Sequence, residues 1–222
     1  MTRALPVILA PLLAALIGLT GCANTEITLL SPAIEQAARR FSRAEAAPVP
    51  AFAAADRAGA PVMIAALDKT PDRAAAFLRQ SVSQDGVSTW ITLDGSQMMF
   101  RDGLLVGTRG LTGDVLAADA GESAALIRAL GTGVATRIMT VIDGEDQARR
   151  LAFRCQIAPN RADLVDLGQI QVQTRTVVED CRGNGMDFVN YYWLDPRSRE
   201  IIQSGQWAGP TNGKISMRKA LR

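Results

Sequence analysis

Asp-Gly, a dipeptide that favours a tight reversal between two strands, occurs four times in this chain. The sites are Asp85-Gly86, Asp94-Gly95, Asp102-Gly103 and Asp143-Gly144. The favoured two-residue turn needs a positive φ at both central positions, which glycine allows freely and aspartate tolerates. Strand-like runs lie between the turns, at residues 87–93, 97–100 and 104–108. In the first, Val87, Ile91 and Leu93 alternate with Ser88 and Thr92, while Trp90 joins the polar side and marks a second buried surface. Residues 74–83 suit either a helix or a strand, and the Asp85-Gly86 turn favours the strand. Asp119 and Glu122 resemble a capping box for a short helix that stops at Gly131. Further runs follow at 135–142, 150–157, 170–178, 188–194, 201–207 and 214–221, with Asp195-Pro196-Arg197-Ser198 as a turn. About ten strands at short spacing predict a mainly β fold. It is an antiparallel, strongly curved sheet, or a sandwich or partly open barrel, with one or two short helices.

Composition narrows the chemistry. With 48% hydrophobic residues the chain can build a core, and 24 basic against 22 acidic side chains argue against a nucleic-acid binder. The chain contains no histidine, which removes Ser-His-Asp and Cys-His catalysis and every His-ligated metal site.

The first residues read as an export signal. Arg3 precedes an uncharged apolar run over 5–19, about 15 residues, short of the ~20 that a spanning helix needs. Pro6 and Pro11 weaken a regular helix there, and the run fits the apolar region of a signal peptide. Leu19-Thr20-Gly21-Cys22 resembles the lipobox of bacterial lipoproteins. That resemblance implies cleavage after Gly21 and lipidation of Cys22, which anchors the protein without a transmembrane segment. Ala23, in place of an aspartate, then implies the outer membrane. Residues 1–21 are thus expected as signal peptide and 22–61 as a lipid-anchored segment. In that segment Ser31-Pro32 opens a helix and an Ala/Pro-rich connector follows, with another helical turn around Phe52. Residues 62–222 form a single β domain.

Cys155 and Cys181 remain, and a lone pair in an exported protein reads as a disulfide. In a plain hairpin, however, Cys155 would face residues near Ile170, with Cys181 far along the strand. The intervening segment doubles back, its strand bends sharply, or the bond is absent. Other motifs carry little. The loop from Gly209 to Lys214 departs from a P-loop, and Ser216-Met217-Arg218-Lys219 lacks the companions of a Ser-Lys acylase. The acidic pairs Glu145-Asp146, Asp163/Asp166 and Glu179-Asp180 sit at turns and strand ends, where solvation explains them. Neither a catalytic residue, a metal site nor a cofactor is expected. Tyr192, Trp193 and Trp207, with Trp90 earlier, suit a β core and are also what a sugar-binding groove would use.

The run Phe100-Arg101-Asp102-Gly103-Leu104-Leu105-Val106-Gly107-Thr108-Arg109-Gly110-Leu111 resembles the YjbF-type, group 4 capsule polysaccharide lipoprotein family. Glu179-Asp180-Cys181, Tyr192-Trp193-Leu194-Asp195-Pro196 and Ser204-Gly205-Gln206-Trp207-Ala208-Gly209-Pro210 extend the likeness. The resemblance implies a lipoprotein of the outer membrane, facing the periplasm, in a system that produces or exports capsule or exopolysaccharide. Its implied partners are an outer-membrane β-barrel, a soluble periplasmic protein and the polysaccharide itself. Within the motif, Arg109 either pins a neighbouring carboxylate beside a Gly110 twist or contacts a ligand. Trp90, Arg109, Tyr192, Trp193 and Trp207 are the candidate partner or glycan contacts. The alternative expectation is a carrier that holds acyl chains in an apolar cavity of the curved sheet, which a filled core would disfavour.

Overall fold

The computed structural model describes residues 47–220 except Asp143. Cys22, the leader and the helix expected from Ser31-Pro32 lie outside the described residues. Twelve strands follow one another: β1 Val62–Leu67, β2 Ala75–Val82, β3 Val87–Ile91, β4 Gln97–Arg101, β5 Leu104–Arg109 and β6 Val115–Asp119. The second half comprises β7 Gly133–Ile142, β8 Ala148–Asp166, β9 Gln171–Gly183, β10 Met186–Leu194, β11 Ile201–Trp207 and β12 Lys214–Ala220. All of them join one antiparallel sheet in the order β5-β4-β3-β2-β1-β12-β11-β10-β9-β8-β7-β6. The sheet is therefore a meander whose first and last strands pair, Val62 opposite Ala220. It curls into a nearly closed barrel, and β5 and β6 meet at the seam.

Two strands escape the expected count of ten for a physical reason. β1 reads VMIAAL without alternation because both of its faces are covered. Met63 and Ala65 join the main core, while Ile64 and Ala66 pack with Ala74 on the other side. β6 is brief and buries only Val115. The same two-sided burial accounts for β3. Trp90 faces the main core, and Ile91 lies under helix α1 (Pro50–Arg57), where Phe52, Ala55 and Leu78 complete the contact. The helical turn expected around Phe52 is thus a two-turn helix that clasps the outside of the sheet.

Helix α2 (Gly121–Ala129) connects β6 to β7. Its start is not a capping box. Asp119 accepts from the Gly121 amide at 3.2 Å, but Glu122 accepts from the Thr136 amide of β7 at 2.7 Å and so ties the helix to the sheet. Leu130 takes the left-handed cap at φ 52°, and the Gly131 amide closes back on Leu126.

The turns differ from one another. Only Asp102-Gly103, among the described Asp-Gly pairs, has both residues at positive φ, 52° and 82°. Asp85 and Asp94 instead use their carboxylates, taking the hydroxyls of Ser83 and Thr92 within slightly longer loops. A second tight turn, Asn184-Gly185 at φ 53° and 72°, joins β9 to β10. It lets β9 run on to Gly183, past Cys181. The β8–β9 segment does double back: β8 runs on to Asp166, turns through Leu167 to Ile170, and pairs with β9 so that Cys155 stands opposite Cys181. The two are joined by a disulfide, Cα to Cα 3.9 Å. Beyond a register shift between Pro159 and Ala162, the hairpin tip folds onto the sheet face. There Val165 packs with Trp193 and Ile202, and the Trp193 indole donates to Asp163 at 3.0 Å.

Candidate functional site

The barrel interior is filled unevenly. On the side of β8 to β11, Phe153 meets Phe188 edge-on at 4.9 Å, and Trp207 stacks on Phe188 at 4.5 Å, beside the disulfide. Next to this layer lies a buried charged network. Arg137 and Glu179 are both 0% exposed, with Nη1 3.2 Å from Oε2. Asn190 and Tyr192 each donate to the same carboxylate oxygen at 2.7 Å. Burial works against the ionised form of Glu179, but Arg137 and these donors outweigh it and hold the carboxyl below its usual range. Burial, reinforced by the Glu179 charge, pushes the Tyr192 hydroxyl well above its ordinary value. Glu179 is thus not the solvated acid expected from its place beside Asp180. Alternation along β9 turns Val177, Glu179 and Cys181 inward together.

This network also satisfies the barrel seam. Arg137 Nη2 donates to the Leu105 carbonyl at 3.3 Å. The Gln206 amide reaches from β11 to accept from Leu105 N at 2.8 Å and donate to Gly103 O at 2.9 Å. Side chains therefore take the hydrogen bonds that a neighbouring strand would give the open edge of β5. Lower on the seam, Asp114 accepts from the Thr108 hydroxyl at 2.8 Å, the Gly110 amide at 3.0 Å and the Leu111 amide at 3.1 Å.

On the side of β1 to β4 and β12, where Met63, Phe77, Trp90, Met98 and Met217 continue the core, two recesses open at opposite ends of the strands. Trp90 and Met98, cross-strand neighbours, stand between them. One recess, about 670 Å³, is apolar, with Ala65, Leu67, Phe77, Met98 and Ile215 on its walls. The other, about 450 Å³, lies beneath the Asp102-Gly103 turn and combines an apolar floor of Met63, Trp90, Phe100 and Met217 with a charged rim. Around that rim Arg128 pairs with Asp102, and Lys219 with Glu200. Arg218 directs its guanidinium to Gln203 and to the Asp166 carbonyl. Arg79 and Arg199 have no acidic partner among the described residues, and Nη1 of Arg199 is buried with no hydrogen-bond acceptor. The Trp90 indole N–H is already committed to Ser88 at 3.1 Å, so the ring offers this recess hydrocarbon rather than a donor.

Of the candidate contacts drawn from the sequence, the structure brings only Trp90 to a recess wall. Tyr192 is fully buried in the Glu179 network, Trp193 lies under the folded hairpin tip, and Trp207 belongs to the aromatic layer. None of these three lines either recess, and their packing makes them core residues rather than a surface groove. Arg109 is exposed at the end of β5 and pins no carboxylate among the described residues; the carboxylate that fixes the Gly110 twist is Asp114. Gly110 itself sits at φ 84°, where a side chain would strain the backbone and press on Ser96. Sequence reading passed over Arg79 and Arg199. The turn at Asp195-Pro196-Arg197-Ser198 was legible, but the left-handed Arg199 that ends it, φ 61°, carries no such mark.

The donor sets for a metal are poor. Cys155, Glu179 and Cys181 bring three potential ligand atoms within 4.8 Å of one another. Both sulfurs are consumed by the disulfide, which leaves Oε1 of Glu179 as the one uncommitted oxygen of the set, so these residues do not fit a metal ion.

Fold and site together define a twelve-stranded meander barrel with two recesses on one side, tied across its seam by buried side chains. The chain belongs to the group 4 capsule polysaccharide lipoprotein family (gfcB, YjbF), whose model matches residues 35–219. It is a lipoprotein family associated with capsule polysaccharide. Among solved structures, the crystal structure of the hypothetical lipoprotein YmcC from Escherichia coli (K12) is similar, with a TM-score of 0.66. The two are 16% identical, over 78% of this chain and 89% of that one, a likeness of fold. No curated protein sequence matches the chain.

Proposed function

We propose that the protein is a non-catalytic accessory lipoprotein of capsule or exopolysaccharide production or export. In this reading Cys22 carries the lipid and holds the barrel at the outer membrane, facing the periplasm. There the barrel works beside an outer-membrane β-barrel and a soluble periplasmic protein. The observation that carries the reading is the family match over residues 35–219. The interior supports it, since the deepest charged groups, Arg137 and Glu179, are spent on holding the seam. Deleting the gene tests it. Exported polysaccharide should fall while precursor synthesis continues, and the gene supplied in trans should restore export. Unchanged export overturns the reading.

A second reading, a carrier of acyl chains, is favoured by the apolar recess of about 670 Å³. The filled aromatic and disulfide layer in the other half of the barrel counts against a cavity running through the molecule. Organic extraction of the purified protein tests this: a bound lipid at one per chain, beyond the anchor itself, supports the carrier, and its absence removes it.

A further inference from the structure

We propose that the recess beneath the Asp102-Gly103 turn is a binding site for a carboxylated sugar unit of a glycan chain. This rests on the reading that the protein serves polysaccharide, and it names the chemistry that the barrel would recognise. The recess, about 450 Å³, falls within the ~300–1,000 Å³ span of small-ligand sites and has room for a short saccharide.

Its charge pattern is selective. Asp102 and Glu200 each neutralise one basic neighbour, Arg128 and Lys219. Arg79 and Arg199 stay uncompensated among the described residues, and Arg199 keeps a buried Nη1 without an acceptor. A buried guanidinium N–H without a partner is costly, and a planar carboxylate is the acceptor that matches its fork. Backbone bonds fix the position of Arg199: its amide donates to the Asp195 carbonyl at 2.9 Å, and the Asp195 amide donates to Glu200 at 2.9 Å. The left-handed residue therefore does not swing freely, and a left-handed arginine is a conformation that the surroundings must impose.

The floor supplies the other half of sugar recognition. Trp90, Phe100, Met63 and Met217 give an apolar surface for the C–H face of a ring, and the indole N–H is already spent on Ser88. A protein partner with an acidic segment would also meet arginines. A recess with an apolar floor and a charged rim suits a compact ring better than an extended peptide, which would look for an open strand edge or a long groove.

The test uses the lipidated full-length protein in detergent micelles. It is titrated by calorimetry with a galacturonate trisaccharide, a neutral galactose trisaccharide of equal length, inorganic phosphate and an oligoglutamate peptide. Expected are saturable binding of the acidic trisaccharide and at least tenfold weaker binding of the other three. Arg199→Gln and Arg79→Gln should each weaken the acidic trisaccharide about tenfold. Arg150→Gln, which alters an exposed arginine on β8, should not. Melting curves of all variants confirm that they are folded. Equal binding of acidic and neutral sugars, equal binding of the peptide or of phosphate, or wild-type affinity in both recess variants overturns the site. The gene deletion separates the two claims. Impaired export without acidic-sugar binding removes the site and leaves the accessory role; binding with unimpaired export does the reverse.

Discussion

Glu179 and Arg137 concentrate the electrostatic cost of this fold. Both are fully buried, and Arg137 Nε has no hydrogen-bond partner, so the pair is held at some expense. Arg137→Met should cost about 3–5 kcal/mol, because it strands a buried carboxylate. Arg137→Met combined with Glu179→Leu should cost clearly less than Arg137→Met alone, as urea melts of the three proteins would show. The same pair sets an acid limit. The Glu179 carboxyl titrates lower in the folded protein than in the unfolded chain, so its contribution is intact above the unfolded value, ~4.3, and is lost as pH falls through the folded one. Stability measured from pH 7 downward should therefore drop steeply below about pH 4 in the wild type. The double variant should show a shallower drop. A drop of equal size in both would contradict the assignment. The pattern of β9 was partly legible: Glu179 lies between Val177 and Cys181 at every second residue, which marks an inward acid. Its arginine partner, 42 residues earlier, lies in the same way between Ala135 and Met139, but nothing local says that the two inward charges meet.

The β8–β9 hairpin shows what local sequence can and cannot fix. Turn chemistry placed β3, β4 and β5 well, because Asp85, Asp94 and Asp102 each stop a strand by a mechanism visible in the residues themselves. It was misread for the cysteines, because β8 seemed to end near Ile157 while its backbone continues to Asp166. Asn184-Gly185, equally strong as a hairpin signal, marks the true end of β9, and the turn at 167–170 sets the register that puts Cys181 opposite Cys155. With a sequence separation of 26, the disulfide should stabilise the fold by about 3.5 kcal/mol in the chain-entropy account. The Cys155→Ala/Cys181→Ala protein should melt roughly 7–14 °C lower. An unchanged melting temperature would show that the β8–β9 pairing holds without the crosslink. Because both sulfurs are buried in the core, a reductant should act on the native protein only as fast as the hairpin opens.

At the scale of the whole molecule, the defining feature is a meander closed by pairing its ends, β1 with β12, and cut between β5 and β6. That closure was the least legible part of the fold. β1 hides because both faces are apolar, β6 because it is short, and the side chains that bridge the seam come from residues far apart in the chain. Gln206 lies 101 residues from the Leu105 amide it satisfies. Gln206→Ala removes the partners of two backbone groups at once and should cost roughly 2–4 kcal/mol. Hydrogen exchange should locate the loss at Leu105, with β8 and β9 protected as before. Protection unchanged at Leu105 would mean that the seam closes by other means.

The central claim is that an anchored, non-catalytic barrel supports the passage of polysaccharide to the cell surface. It is tested most directly by measuring surface polysaccharide in a deletion strain that carries either the wild-type gene or Cys22→Ser at matched protein levels. The account predicts full recovery with the wild type and a surface level close to the deletion with Cys22→Ser. Equal recovery with both would contradict it.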